Sequence, residues 1–393
     1  MDRPAELRKG SVVEKINATV LDAAGHIIGS SITLEDGVVR NVAPPTEELR
    51  GPYFFPGFVD IHCHGGGGAS FPDDNDRESI ERAARTHAHE GTTHLIASLV
   101  SALDPLPAIK ALADACDDGL LIGIHLEGPY VSHEKAGAQN PAAIRDINLD
   151  ELATWLEAGR GWIKTMTIAP ERERSVEAAQ LLLQHGAVPS WGHTAASSRQ
   201  TSEAVSATSK IAGGLRPAQT ATHLFNAMPP LNHRFPGPVR ELMDAAKYGD
   251  LVVEIIGDGV HVATELVADC LNYLDDPVEP GAALVTDALA CAAMPNGDYV
   301  LGGLAVTMVD GTAKLTGTDT IAGGASTLAR QVIKLLDYGV DPRVLARATM
   351  LAPARAINID PPAYPAPGRP LTGVLIDGAE LRAWRDGVEY GNV

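Results

Sequence analysis

The chain has 393 residues, with 31 Lys and Arg against 50 Asp and Glu, a formal net charge of −19 with histidine neutral. That surplus repels a polyanion, and no run of Lys or Arg exceeds two, which excludes a nucleic-acid binder. Hydrophobic residues make up 45% and charged ones 21%, proportions that give a sizeable core and exclude disorder, and no stretch approaches 18 uninterrupted apolar residues, which excludes a membrane span.

The opening MDRPAELRKGSVVEKINATV mixes both charges and holds no apolar core of signal-peptide length, so a cytoplasmic protein is expected. Residues 18–42 are short β-rich runs separated by Ala-Gly and Asp-Gly, the latter a hairpin signal. The style returns at 373–390, where short strands flank Asp377-Gly378 and Asp386-Gly387. Neither end holds enough strands to bury a face alone, so both are expected to pair into one small β-sandwich domain, residues 1–55 plus 356–393, with the Pro-rich 361–370 as return linker.

Between these ends, residues 56–355 alternate short apolar strands with amphipathic helices. Strands are predicted near 58–62, 93–99, 120–126, 163–168, 187–191, 220–225, 251–256 and 283–286. Helices are predicted at 77–90, 105–117 and 173–185, each followed by a glycine suited to a helix end: Gly91, Gly119 and Gly186. Eight strand–helix repeats make an α/β protein with a (β/α)₈ barrel of the TIM type. No GxGxxG turn follows the first strand, so a doubly wound nucleotide-binding sheet is the weaker reading, and Gly65–Gly68 is read as a tight turn, with phosphate cradling the lesser alternative.

Barrel enzymes carry their chemistry at the carboxyl ends of the strands. The first strand ends in His62-Cys63-His64, and alternation of side chains turns both imidazoles one way and Cys63 the other. The third ends in His125-Leu126-Glu127, the fifth in Gly192-His193-Thr194, the sixth leads into His223, and the eighth ends in Thr286-Asp287. A single histidine at a strand end is more often structural than a ligand. Metal-capable residues at five strand ends together point to a divalent metal, and imidazole with carboxylate admits zinc, iron, manganese or cobalt.

The other histidines divide by position. His87, His89 and His185 fall on helices, His26 in the end domain and His94 at a strand start, all read as structural or solvated, with His133 and His233 in loops. His125 either lines the site or supports a ligand. His261, in Asp258-Gly259-Val260-His261 after the seventh strand, is placed to touch substrate. Cys63, Cys116, Cys270 and Cys291 form no C-x-x-C pair, which argues against a zinc ribbon or disulfide framework.

With HCH, HLEGP, GHT, HLFNAMPP and TDA in this order, the chain resembles the amidohydrolase superfamily, and within it the N-acetylglucosamine-6-phosphate deacetylases. The likeness runs through PGFVDIHCHGGGG (56–68), GIHLEGPYVSHEKAGAQNP (123–141), TIAPE (167–171), GHTAAS (192–197), THLFNAMPPLNHRFPG (222–237), GDGVHV (257–262), LVTDALA (284–290) and APARAI (352–357). It implies a metal-dependent barrel with a small β-domain, in which Glu127, His193 and His223 hold the main metal and Asp287 is the catalytic acid/base. His62 and His64 are retained, so the resemblance implies one or two ions, with zinc the first choice. For substrate it points to Ala138, Gln139, Asn226, Ala227, Arg234, His261 and the turn Ile321-Ala322-Gly323. It also implies a homodimer in which Arg234 reaches the neighbouring active site. Gln139 stands where some relatives have histidine, which removes a charge but not a hydrogen-bond donor.

The implied reaction is hydrolysis of N-acetyl-D-glucosamine 6-phosphate to D-glucosamine 6-phosphate and acetate, in amino-sugar catabolism or cell-wall recycling. Other readings are deacetylation of N-acetylgalactosamine 6-phosphate, another amide hydrolysis of the superfamily, or a silent member that senses amino-sugar phosphates. Cyclic-amide hydrolases of the superfamily bridge their metals with a modified lysine on the fourth strand, but Lys164 lies at the start of that strand, away from the metal end.

Overall fold

The computed structural model describes residues 12–46 and 51–390. The amino-terminal part gives four strands, β1 (Val13–Leu21), β2 (Ile27–Glu35), β3 (Val38–Ala43) and β4 (Tyr53–Phe55). The barrel begins with β5 (Phe58–Asp60), followed by a two-stranded hairpin of β6 (Gly65–Gly66) and β7 (Ala69–Ser70). It continues through β8 (Thr92–Val100), β9 (Gly123–Glu127), β10 (Ile163–Ile168), β11 (Val188–Trp191), β12 (Thr220–Ala221), β13 (Val252–Ile256) and β14 (Ala282–Val285). These form one eight-stranded sheet in sequential order, with parallel neighbours throughout.

The sheet closes beyond the formal ends of β5 and β14. Asp287 donates its N–H to His62 O at 2.9 Å and His64 donates to Ala288 O at 2.7 Å. Below that seam the Thr286 hydroxyl donates to Asp60 Oδ2 at 2.6 Å. Each predicted strand is present, and the predicted helices are found at Arg77–Ala88, Leu106–Asp117 and Ser175–Gln184. Their apolar faces pack on the outward residues of the strands, such as Leu95, Leu126, Met166 and Val253, in the main hydrophobic core.

After the eighth strand comes a four-stranded antiparallel sheet that the sequence reading did not foresee: β15 (Gly297–Leu301), β16 (Leu304–Val309), β17 (Thr312–Leu315) and β18 (Ile321–Gly323). Residues 321–323, expected as a turn, are its last strand, because Lys314 and Ala313 of β17 pair with them. Leu301, Val306, Met308 and Ala313 pack with Val100, Ala138 and Leu289, so this sheet leans over the carboxyl end of the barrel.

The carboxyl-terminal strands β19 (Gly373–Asp377), β20 (Glu380–Arg385) and β21 (Val388–Glu389) join β1–β4 in a seven-stranded sheet, as the paired termini predicted. Leu371 donates to Gly37 O at one edge and accepts from Gly387 N at the other, so the sheet folds back over a core of its own that includes Ile32, Leu34, Phe54 and Trp384. Asp36-Gly37 and Asp386-Gly387 both take positive φ, the conformation a tight hairpin turn requires.

The two units meet at Gly91, which ends the first helix with φ +92° and whose Cβ position would lie 2.5 Å from Val374 Cβ. Gly91→Ala combines backbone strain with a clash, so it should lower the melting temperature by several degrees, corresponding to at least about 1–3 kcal/mol. Thermal unfolding followed by circular dichroism checks this, and an unchanged midpoint would contradict the packing.

Candidate metal centre

His62 and His64 follow β5, Glu127 ends β9, His193 and His223 follow β11 and β12, and Asp287 follows β14. The barrel gathers all six into one buried cluster. Glu127 is at its centre: Oε1 lies 3.0 Å from His193 Nε2, 2.9 Å from His223 Nε2 and 3.6 Å from His62 Nε2, and Oε2 lies 3.3 Å from His64 Nε2. Asp287 Oδ1 stands 3.4 Å from His62 Nε2 and 3.3 Å from His64 Nε2. Two groups of potential ligands result, His62–His64–Glu127 and Glu127–His193–His223, sharing one carboxylate.

For two of the rings the far side explains why Nε2 faces inward. His64 Nδ1 meets Ser98 O at 3.1 Å and His193 Nδ1 meets Lys135 O at 2.8 Å. A carbonyl only accepts, so both rings carry the proton on Nδ1 and turn a lone pair on Nε2 into the site, the tautomer a metal takes. The Nε2 atoms of His62 and His64 are 3.1 Å apart, as are those of His193 and His223. Two lone pairs at that distance repel unless something positive lies between them. Bonds of about 2.0–2.1 Å to one ion at a tetrahedral angle put two nitrogens about 3.3 Å apart, so the spacing fits a metal.

The charges point the same way. Burial disfavours a charged His62, but Glu254, Asp287 and Glu127 outweigh it and push its pKa up to about 10. Burial likewise opposes charge on His64, while Asp287 and Glu127 push it up to about 9. Burial works against ionisation of Glu127 too, yet His193, His62 and His223 hold it well below the usual carboxylate range. The field that draws protons to these nitrogens draws a divalent cation equally.

Under the cluster lies a belt of side chains hydrogen-bonded from strand to strand. The Ser98 hydroxyl meets His125 Nδ1 at 3.0 Å, His125 Nε2 meets the Thr167 hydroxyl at 2.8 Å, Thr167 meets Thr222 at 2.8 Å, and Thr222 meets Ser190 at 2.6 Å. Both nitrogens of His125 are thereby engaged, and burial, with the nearby charge of His62, holds its pKa well below 6.5. It supports the site from beneath, packed edge-on against His62 at 4.5 Å between ring centres. The loops above are strained: His193, His223, Ala227 and Asp287 all have φ between 26° and 50°, a conformation that side chains disfavour and that clusters at working sites.

A cavity of about 180 Å³ opens over the cluster. Among the expected substrate residues, Ala138, Gln139, Asn226, Ala227 and His261 line it, with Ile321 and Ala322 from β18. Gly323 packs under Leu289 beside them. Gln139 is bound to the site itself: its Nε2 donates to Glu127 Oε2 at 2.7 Å and its Oε1 accepts from Ser101 N at 2.6 Å. His261 Nδ1 is 2.8 Å from Asp258 Oδ2. Arg234 is not in this cavity but on the exposed loop after His223, beside Phe235, which is 80% exposed. Lys164 donates to Gly161 O, away from the cluster. A larger groove of about 650 Å³ runs along the first helix, with Arg85 paired to Glu81 beside it, and holds none of the six cluster residues.

Sequence reading missed Glu254, fully buried with Oε2 at 2.9 Å from His62 Nδ1. Its signal was an acid inside the apolar run Val252-Val253-Glu254-Ile255-Ile256. It missed Glu171 as well, which accepts from the Thr194 hydroxyl and from Ala195 N at 2.7 Å and ties down the loop carrying His193. Cys63 turns away from the cluster, 3.3 Å from His87 Nε2, as alternation predicted.

The amidohydrolase family matches residues 53–277. N-acetylglucosamine-6-phosphate deacetylase of Bacillus subtilis (strain 168) is 32% identical over 74% of this chain and 74% of its own. N-acetylgalactosamine-6-phosphate deacetylase of Escherichia coli O157:H7 is 29% identical over 87% and 88%. Among solved structures, a variant N-acetyl-D-glucosamine-6-phosphate deacetylase from Mycobacterium smegmatis, in complex with N-acetyl-D-glucosamine 6-phosphate, superposes with a TM-score of 0.84 at 33% identity, covering 98% of this chain and 100% of that one.

Glu127→Gln keeps the shape of the shared ligand and removes its charge. Metal that survives dialysis of the native chain should be lost from this variant, as read by mass spectrometry of metal content; undiminished metal would contradict a central role for Glu127.

Proposed function

The chain belongs to the amidohydrolase family, and we propose that it hydrolyses the acetamido group of N-acetyl-D-glucosamine 6-phosphate, giving D-glucosamine 6-phosphate and acetate. The observation that carries this reading is one carboxylate, Glu127, shared by two histidine pairs with a second carboxylate, Asp287, 3.3–3.4 Å from one pair. The similarity over most of the chain to deacetylases of this substrate supports the reaction.

In this reading Glu127, His193 and His223 hold the main divalent metal, zinc by first choice, and His62 and His64 complete a second position. Such a metal supplies Lewis acidity, activating water near neutral pH and polarising the amide carbonyl. Asp287 takes the proton from the attacking water at its carboxylate and delivers it to the leaving nitrogen, so that the amine departs neutral. Burial opposes its ionisation, but positive charge collected at His62 and His64 keeps it below the ordinary carboxylate range; a metal held by those nitrogens would supply that charge and leave Asp287 a base at neutral pH.

Ala138, Gln139, Asn226, Ala227 and His261, with Ile321, Ala322 and Gly323, form the sugar pocket. Arg234 pairs with no carboxylate among the described residues and sits outside its own chain's cavity beside exposed Leu231 and Phe235, which supports a homodimer in which it takes the phosphate of the neighbouring site. Bidentate pairing gives the reason for arginine there. A doubly charged sugar phosphate stays in the compartment where it is made, which supports a cytoplasmic enzyme; among the described residues no helix is long and apolar enough to cross a membrane. The similarity to a galactosamine-phosphate deacetylase favours the galacto epimer as a second reading.

Acetate release by the metal-reconstituted protein tests the proposal, with the gluco phosphate, the galacto phosphate and the unphosphorylated sugar compared. Fastest turnover of the gluco phosphate is expected; preference for the galacto epimer would select the second reading, and no release from any would overturn both. Asp287→Asn should keep its metal and lose about 10²–10⁴ in kcat, the usual worth of acid–base catalysis. Near-native turnover would remove Asp287 from the role.

His261 provides a pH test. Burial lowers its pKa, but the hydrogen bond and charge of Asp258 raise it above the ordinary value, so the ring keeps its proton to higher pH and loses it as pH rises through that elevated value. In this reading the protonated ring attracts the negative charge of the substrate, so KM for the gluco phosphate should rise on the alkaline side, and Asp258→Asn should move that rise to lower pH. A profile identical in the variant would contradict the coupling.

A further inference from the structure

We propose that Glu254 is a positioning residue that holds His62 as a ligand and thereby decides whether the barrel keeps one metal ion or two. The inference rests on the metal-centre reading above and extends it to a residue that touches none of the reacting atoms.

His64 and His193 are oriented by backbone carbonyls, which any sequence would supply at those places. His62 alone is oriented by a carboxylate, from the middle of β13 across the barrel. The same oxygen, Glu254 Oε2, accepts from the backbone N of His223 at 3.2 Å, so one side chain braces a histidine of each pair. An imidazole whose far N–H is given to a carboxylate is held in its ligating tautomer and is a stronger donor at Nε2.

Placement of Glu254 has a cost that something must offset. It is fully buried in an otherwise apolar strand, and its Oε1 has no hydrogen-bond partner. A buried carboxylate persists when a positive charge compensates it. Among the described residues no Lys or Arg pairs with Glu254, Glu127 or Asp287, whose ion-pair contacts are all with histidines. Glu254 engages the far nitrogen of His62, whose Nε2 faces His64 Nε2 at 3.1 Å and Asp287 Oδ1 at 3.4 Å, so the contact assigns Glu254 to the His62–His64 side of the cluster and to an ion held there.

The test is metal stoichiometry and spin coupling after reconstitution with Mn²⁺. Wild type should hold two ions per chain and give the electron paramagnetic resonance signal of an exchange-coupled pair. Glu254→Ala should hold one ion with the signal of an isolated Mn²⁺. Glu254→Gln, whose amide oxygen still accepts from His62 Nδ1, should recover the second ion with affinity about 10–100-fold weaker than wild type. Should the alanine variant fail to fold, the glutamine variant decides: a second ion bound as tightly as in wild type would overturn the proposal. So would two coupled ions in Glu254→Ala, or a wild type that holds only one. A wild type that binds none would remove the metal-centre reading as well, an outcome distinct from two ions in every variant.

Discussion

Four imidazoles and one carboxylate crowd together, buried at the floor of the cavity, and that arrangement is unstable without positive charge at its centre. Nε2 atoms 3.1 Å apart in both histidine pairs, with Glu127 between them, repel or compete for protons. The chain holds this geometry with residues from the ends of five different strands, and the strained φ at His193, His223 and Asp287 is part of what it costs. A binding site for a divalent cation is the physical state in which these groups stabilise one another.

The rest of the barrel serves that cluster. Beneath it, hydroxyls and a neutral His125 bond around the interior, which satisfies the polar groups and fixes the depth of His62. At the closing seam Asp60 accepts from Thr286, so that Asp287 emerges opposite His62 and His64. Gln139 fixes Glu127 from above, and Asp258 orients His261 toward the cavity. The terminal β-domain contributes none of the cluster residues; it buries its own core and packs on the barrel through Val374 and Gly91.

Much of this was legible in the sequence because the barrel imposes a simple rule: chemistry sits where strands end. That rule, with the two-residue period of a strand, placed His62 and His64 on one side and Cys63 on the other. It failed for residues whose role depends on partners distant in the chain. Glu254 reads as an oddity within an apolar strand until His62, 192 residues away, is seen beside it. The threonines and serines of the belt carry no pattern, since hydroxyls are common in strands. Gln139 was placed at the pocket, yet its bond to Glu127 depends on a loop path that no local signal describes. The β15–β18 sheet does have hairpin signals at Gly302-Gly303 and Asp310-Gly311, but an alternation argument that stops at the eighth strand does not look for them.

Glu127, His193 and His223 are proposed to hold the metal on which the chemistry depends. Anomalous diffraction at the metal's absorption edge, from crystals of the reconstituted protein, tests this most directly. It should place an ion about 2.0–2.2 Å from Glu127 Oε1 and from the Nε2 atoms of His193 and His223. An active protein whose only anomalous peak lies elsewhere would contradict it.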